Sequence, residues 1–258
     1  MSLNEWPSNT GHMREWVSLA DADLIAGEWT TNQLARFPKL LPVEGAGRLV
    51  LSSPRKFKEG NNYKPEIRDV DPITWQRRML FVKDQNPEKP NYFLFQDNID
   101  TELPSDWNIW CLAESMELGN NTIEAHFKGK YDVNLDVYSL IPDKNIVTGA
   151  YGPTESVYGF YRQKLYQLQQ NSGGNYMVLL YPRLRNEKQP EVKAWGISGT
   201  CIRTNTWTHY VVLSNQPVNV QEADATFQGK VGVLRRDGHT RLITLLSADG
   251  GKAHSSMA

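Results

Sequence analysis

The residues with the most chemical promise lie near the start of the chain, in Glu5-Trp6-Pro7-Ser8-Asn9-Thr10-Gly11-His12-Met13-Arg14-Glu15-Trp16. Indole rings, amides and charged groups crowd together there. That composition suits a sugar, whose pyranose face stacks on flat rings while polar groups bond its hydroxyls. Trp6, His12, Arg14, Trp16, Glu28 and Trp29 are the candidate carbohydrate-binding residues, and His12 is a weak candidate for a catalytic base. A core tryptophan pair joined by a polar turn is the competing reading.

The other histidines are His126, His209, His239 and His254, and none of the five lies within four residues of another. No local metal cluster follows from that spacing. His126 and His209 fall in predicted strands and are expected to be satisfied there, whereas His239 beside a turn and His254 in the tail read as solvated. The row Asp132, Asn134, Asp136 offers oxygen donors of the kind calcium takes. Alternate residues on one strand face stand ~6.6 Å apart, so the row reads as a wetted sheet face instead. Phosphate loops, dinucleotide fingerprints, nucleophile elbows and zinc helices are absent from the sequence. Neither a metal nor a cofactor is expected.

Composition narrows the partners. The 258 residues carry 28 Lys plus Arg against 29 Asp plus Glu, a formal net charge of −1. A nucleic-acid binder normally shows a basic excess, so nucleic acid is not an expected partner. No run approaches the ~20 apolar residues that cross a bilayer, so neither is a membrane. Met1 to Thr10 lacks the basic and apolar regions of a signal peptide. Cys111 and Cys201 each sit in an apolar run and read as two buried free thiols, their pairing left open.

Short apolar runs separated by turn chemistry dominate the chain, and they predict an all-β fold: a large antiparallel β-sandwich, supersandwich-like, with little helix. Lys230–Arg235 and Thr240–Leu246 flank Asp237-Gly238, a hairpin turn signal. A second hairpin is expected between Lys164–Gln170 and Tyr176–Tyr181. In Asp132–Leu140, Val133, Leu135 and Val137 alternate with Asp132, Asn134 and Asp136. Trp75–Lys83 and Tyr92–Asp97 form another pair, and the second is apolar on both faces, as in a strand covered from both sides. Trp107–Ala113 reads as one strand. Near-helical spacing of Val157, Phe160, Tyr161, Leu165 and Leu168 competes with a strand reading from Arg162 onward. Residues 1–19 are then an N-terminal segment placed to line a cleft. Residues 20–247 form the sandwich unit, with two sub-sandwiches meeting near 150–160, and 248–258 form a flexible tail.

The stretches Arg78-Met79-Leu80-Phe81-Val82-Lys83 and Pro90-Asn91-Tyr92-Phe93-Leu94-Phe95-Gln96-Asp97 resemble the β-sandwich region of heparinase II/III-like polysaccharide lyases. Ala22–Glu28, Trp107–Ala113, Tyr176–Arg183 and Gly229–Val233 add to that resemblance, which covers roughly Ala20 to Leu246. It implies a secreted, periplasmic or extracellular setting and an acidic polysaccharide as partner. In such lyases a Tyr or His base removes the proton α to a uronate carboxylate, and polar groups stabilise the resulting charge. Most of that machinery belongs to an N-terminal α/α toroid and to a His- and Asp-rich stretch, and neither is legible in this sequence. The resemblance therefore implies a non-catalytic sandwich portion whose toroid, or a partner chain, completes the site. Two alternatives stand beside it: a stand-alone carbohydrate-binding module, and an active lyase with its base within the chain.

Overall fold

The computed structural model describes residues 11–33, 40–43, 48–51, 69–84, 86, 89–101, 105–119, 123–142, 146–149, 154–156, 159–161, 164–222, 225–238, 240–246 and 254–257. Every regular element among them is a strand. In chain order these are β1 Gly11–Ser18, β2 Ala22–Gln33, β3 Leu40–Val43, β4 Arg48–Leu51, β5 Asp69–Val82, β6 Tyr92–Asp100 and β7 Ser105–Cys111. Then come β8 Ala113–Leu118, β9 Glu124–Gly129, β10 Val133–Ile141, β11 Ile146–Gly149, β12 Thr154–Ser156, β13 Gly159–Tyr161 and β14 Lys164–Gln170. The last seven are β15 Gly174–Leu184, β16 Glu191–Ala194, β17 Gly199–Arg203, β18 Trp207–Glu222, β19 Ala225–Asp237, β20 Thr240–Leu246 and β21 His254–Met257.

A central sheet of eight strands runs β1-β2-β5-β6-β15-β10-β9-β8. Its pairs are antiparallel throughout. A side sheet β11-β14-β7 covers part of one face, and a C-terminal sheet β16-β17-β18-β19-β20 covers the other. Leu24, Leu80, Leu94, Tyr92 and Leu179 pack against Ile202, Val211 and Val233 of the C-terminal sheet. On the reverse face Val137, Tyr176 and Val178 pack against Trp107, Tyr166 and Leu168 of the side sheet. This is the doubly covered strand that Tyr92–Phe95 announced: Tyr92 and Leu94 serve one core, while Phe95 meets Trp107 edge-on at 6.5 Å on the other side. A third cluster forms where β18 and β19 bend, and Val220 and Phe227 fold over Trp195 and Tyr210. Gly232 permits that bend, because a Cβ there would meet the Phe227 ring at 2.3 Å.

Several expectations change. β14 and β15 do not form a hairpin; β14 pairs with β7 and β11, and β15 with β6 and β10. The Asn171-Ser172-Gly173 connection is an arch between two sheets, with Gly173 at φ +56°. Both strands have apolar inner faces, and facing each other across a core buries more surface than lying side by side. Trp107–Ala113 is likewise two strands, since the chain leaves the side sheet at Leu112 and enters the central sheet as β8. The expected meeting of sub-sandwiches near 150–160 falls largely outside the described residues; within it β12 pairs with β13, so Thr154–Glu155 opens a strand rather than a helix. The tail read as flexible contributes β21, paired with β19 from Ala225 to Gln228. The β19–β20 hairpin forms as expected, with Gly238 at φ +55°. His239 and residues 52–68 lie outside the described residues.

The row Asp132, Asn134, Asp136 is wet only at its start: Asp132 is exposed, Asn134 half-buried and Asp136 buried. Asp136 is fully buried opposite Tyr181, accepts Arg183 Nε at 2.5 Å, and shares a 2.9 Å hydrogen bond with His126 Nδ1. The C-terminal sheet and its turns cover that end of β10, and an arginine, not a metal, meets the carboxylate. His209 is satisfied as expected, through a 3.0 Å hydrogen bond between its Nδ1 and the Tyr92 hydroxyl. Both cysteines are free; burial pushes the Cys111 thiol up to about 11.

His209 yields a pH prediction. Burial, and then the positive charges of Arg235 and Lys89, hold its pKa down at about 3, against about 6.5 for an unfolded histidine. Below pH ~6.5 the unfolded chain binds a proton that the folded chain refuses. The contribution is therefore intact above that pH and is lost as pH falls toward 3, at up to about 1.4 kcal/mol per unit. Urea titrations across this window should show the slope, and His209→Gln should flatten it. An unchanged slope in the variant would remove His209 from the account.

Candidate functional site

The edge of the central sheet carries the sequence-predicted residues. β1 pairs with β2, β2 with β5, and β5 with β6. A bulge between Met13 and Glu15 interrupts the first ladder and leaves Arg14 extra. Edge strands invite pairing with other chains, and a bulge bearing charges discourages it.

Register sorts the candidates onto two faces. On one, His12 lies opposite Glu28, and Glu28 opposite Gln76. Glu28 accepts hydrogen bonds from Arg14 Nη2 at 3.0 Å and Gln76 Nε2 at 2.9 Å. Those bonds, Arg14's first, hold its carboxyl below the usual carboxylate range. Further along the same face the C-terminal sheet takes over, where Arg78 reaches Glu15 at 3.3 Å and the Ser214 carbonyl at 3.2 Å.

The opposite face carries the rings. Cross-strand neighbours run Gly11, Trp29, Trp75, Ile99 in one row, and Met13, Gly27, Arg77, Asp97 in the next. After the bulge a third row runs Trp16, Ile25, Met79, Phe95. Gly27 has no side chain, so the space between Met13 and Arg77 is a hollow of about 310 Å³, flanked by Trp29 and Trp75. Met13 and Trp16 are each 63% exposed, so Trp16 is no core residue.

Asp97 organises this hollow. It is 1% exposed and accepts Arg77 Nε at 2.7 Å, Arg77 Nη2 at 2.9 Å and the Trp75 indole N–H at 2.8 Å. Such a paired fork is the strong form of the arginine–carboxylate bond. The Arg77 guanidinium also lies 4.8 Å from the Trp75 ring centroid and 5.6 Å from that of Phe95. Arg77 remains 42% exposed, with N–H groups left to donate outward. The arrangement presents flat apolar surface beside fixed, directional donors.

Of the six predicted residues, Trp6 lies outside the described residues. Trp16 and Trp29 share the ring-bearing face, while His12, Arg14 and Glu28 share the polar one. Sequence reasoning missed Trp75, Arg77 and Asp97. Strand alternation in Trp75-Gln76-Arg77 places both outer residues on one face, and pairing with Trp29 was the signal that could have found them.

No protein-family model matches the chain, and no curated protein matches it. Among solved structures it is similar to the heparan sulfate lyase HepC from Pedobacter heparinus, at 11% identity and a TM-score of 0.45, over 92% of this chain and 28% of that one. A mutant of the same lyase aligns at 10% identity and a TM-score of 0.44, over 91% of this chain and 27% of that one. The chain thus spans just over a quarter of the length of those structures.

Removing the organising carboxylate should be costly. Asp97→Ala leaves the Trp75 N–H and the inner edge of Arg77 without partners, a penalty of about 1–3 kcal/mol. Urea unfolding should show that loss together with a shifted tryptophan emission. A stable variant with unchanged emission would mean that Asp97 does not hold the hollow in shape.

Proposed function

We propose that this chain is a carbohydrate-binding β-sandwich of the lyase-associated kind, which holds an acidic polysaccharide on its β1–β2–β5 edge and leaves cleavage to other polypeptide. The observation that carries the reading is the hollow between Trp29 and Trp75, with Arg77 clamped beside it by Asp97. Stacking supplies affinity for the sugar ring, and the outward N–H groups of Arg77 supply direction toward hydroxyls or a uronate carboxylate. Sites of this kind act in secreted or periplasmic proteins, where polysaccharides are met.

A second reading, an active lyase using His12 as base, has weaker support. His12 lies across from Glu28 on the face opposite the tryptophan rows. His12 borders the hollow, but its register places the imidazole beside Glu28 and away from the paired tryptophan rings.

Affinity electrophoresis in gels containing polygalacturonate, alginate or heparan sulfate separates these readings. At least one polymer should retard the protein, and Trp29→Ala or Trp75→Ala should weaken retention about tenfold, the equivalent of ~1.4 kcal/mol. Absorbance of unsaturated uronate products should stay at the blank. Retention indifferent to both tryptophans would reject the site; product formation abolished by His12→Ala would establish the lyase reading instead.

A further inference from the structure

A second, larger concavity lies at the other end of β5. It holds about 780 Å³ and opens between the β5–β6 turn, the end of β15 and the β17–β18 turn. Small-ligand sites run from roughly 300 to 1,000 Å³, so the groove is large enough for several linked sugar rings. Trp75 and Val82 are seven residues apart on β5, roughly 23 Å of extended chain, which separates the groove from the edge hollow.

Its lining differs in charge from the hollow. Lys89, Arg183, Lys188 and Arg203 line it together with Glu187 and Glu191, and Asp237 and the buried Asp136 stand behind the lining as partners of Lys89 and Arg183. Arg183 is rigid, held by the buried Asp136 and by the Glu187 carbonyl, which accepts its Nη1 at 2.8 Å. Lys89 bonds Asp237. Lys188, by contrast, is exposed and makes no hydrogen bond or ion pair with another described residue. Exposed amides, Gln189 and Asn205, stand beside it. Trp207 forms part of the wall, its ring packed 4.4 Å from that of His209 and 6.4 Å from that of Tyr181. Burial keeps His209 neutral, so this aromatic stack adds no charge of its own.

We propose that this groove is a second saccharide-binding site, selective for a short anionic oligosaccharide. The exposed Lys188 suits a carboxylate or sulfate group, the amides suit hydroxyls, and the half-buried Trp207 supplies a ring on which a sugar can rest. A bare inorganic anion would leave the amides and the ring unused. The groove stands apart from the edge hollow, whose cations Arg14 and Arg77 are each held by a carboxylate, because Lys188 faces it without such a partner among the described residues.

The test is titration of the full chain with tri-galacturonate, followed by Trp207-sensitive fluorescence and by NMR shifts of the Asn205 and Gln189 side-chain amides. Saturable binding is expected, weakened at least fivefold by Lys188→Glu and again by raising salt from about 50 to 200 mM, since exposed charges are screened. Asn205→Ala, a change on an exposed turn, should also weaken it. Trp29→Ala with Trp75→Ala should leave this binding unchanged while abolishing polymer retention at the edge, so the two sites fail independently. Any of four results overturns the proposal: no saturation, equal affinity for neutral maltotriose, indifference to Lys188→Glu, or inorganic sulfate competing as well as the trisaccharide does.

Discussion

The central sheet has to hide both of its faces, and the rest of the molecule follows from that demand. β6 and β15 lie in its middle, and their side chains feed two separate cores. No single partner sheet can cover both sides, so β7, β11 and β14 detach to make one cover while β16 to β21 make the other. The chain accordingly changes sheets at Leu112 and at Asn171–Gly173 instead of turning back in hairpins. Burying a large aliphatic or aromatic side chain contributes about 1.5–3 kcal/mol, so filling two cores outweighs the loss of a tight turn.

Cover ends before the sheet does. β1 and β2 reach past the side sheet, and among the described residues no layer covers the rings on their outer face. The same physical need that makes the middle of the sheet dry leaves the edge half wet and aromatic. Two buried aspartates then fix the polar parts of the surfaces on offer. Asp97 holds Arg77 at the edge hollow, and Asp136 holds Arg183 at the groove. Buried carboxylates are costly unless they are paired and fully bonded. Each pair therefore locks an arginine in one orientation, which a recognition surface needs and a solvent-exposed pair does not supply.

Much of this was legible in the sequence. Apolar runs between turn residues gave the all-β class, and the double-faced run Tyr92–Phe95 announced a strand covered on both sides. Alternation sorted Val133, Leu135 and Val137 from Asp132, Asn134 and Asp136 correctly. It could not tell that both sets would become dry toward Asp136 and Val137, because Asp136 is made tolerable by Arg183, 47 residues away. The β14–β15 arch was illegible for a related reason: an Asn-Ser-Gly-Gly linker serves a hairpin and an arch equally well, and only distant β7 decides between them. Of the predicted binding residues, the ring-bearing and the polar ones are divided by period-two alternation, and the bulge at Arg14 shifts that alternation by one place. A bulge leaves almost no mark in sequence.

Among the described residues, several groups able to take a proton are buried or already bonded. Elimination at a uronate needs a base open to substrate and close to a donor that stabilises the developing charge. Burial pushes Tyr92, Tyr138, Tyr166 and Tyr181 well above the usual tyrosine range, so their phenolate forms are hard to reach. His209 is sealed in the core beside Tyr92. His126 has Nδ1 on Asp136 and Nε2 3.6 Å from Glu124, which leaves neither nitrogen turned to a substrate. His12 is exposed and borders the hollow, but register pairs its side chain with Glu28, on the face opposite the tryptophan rows.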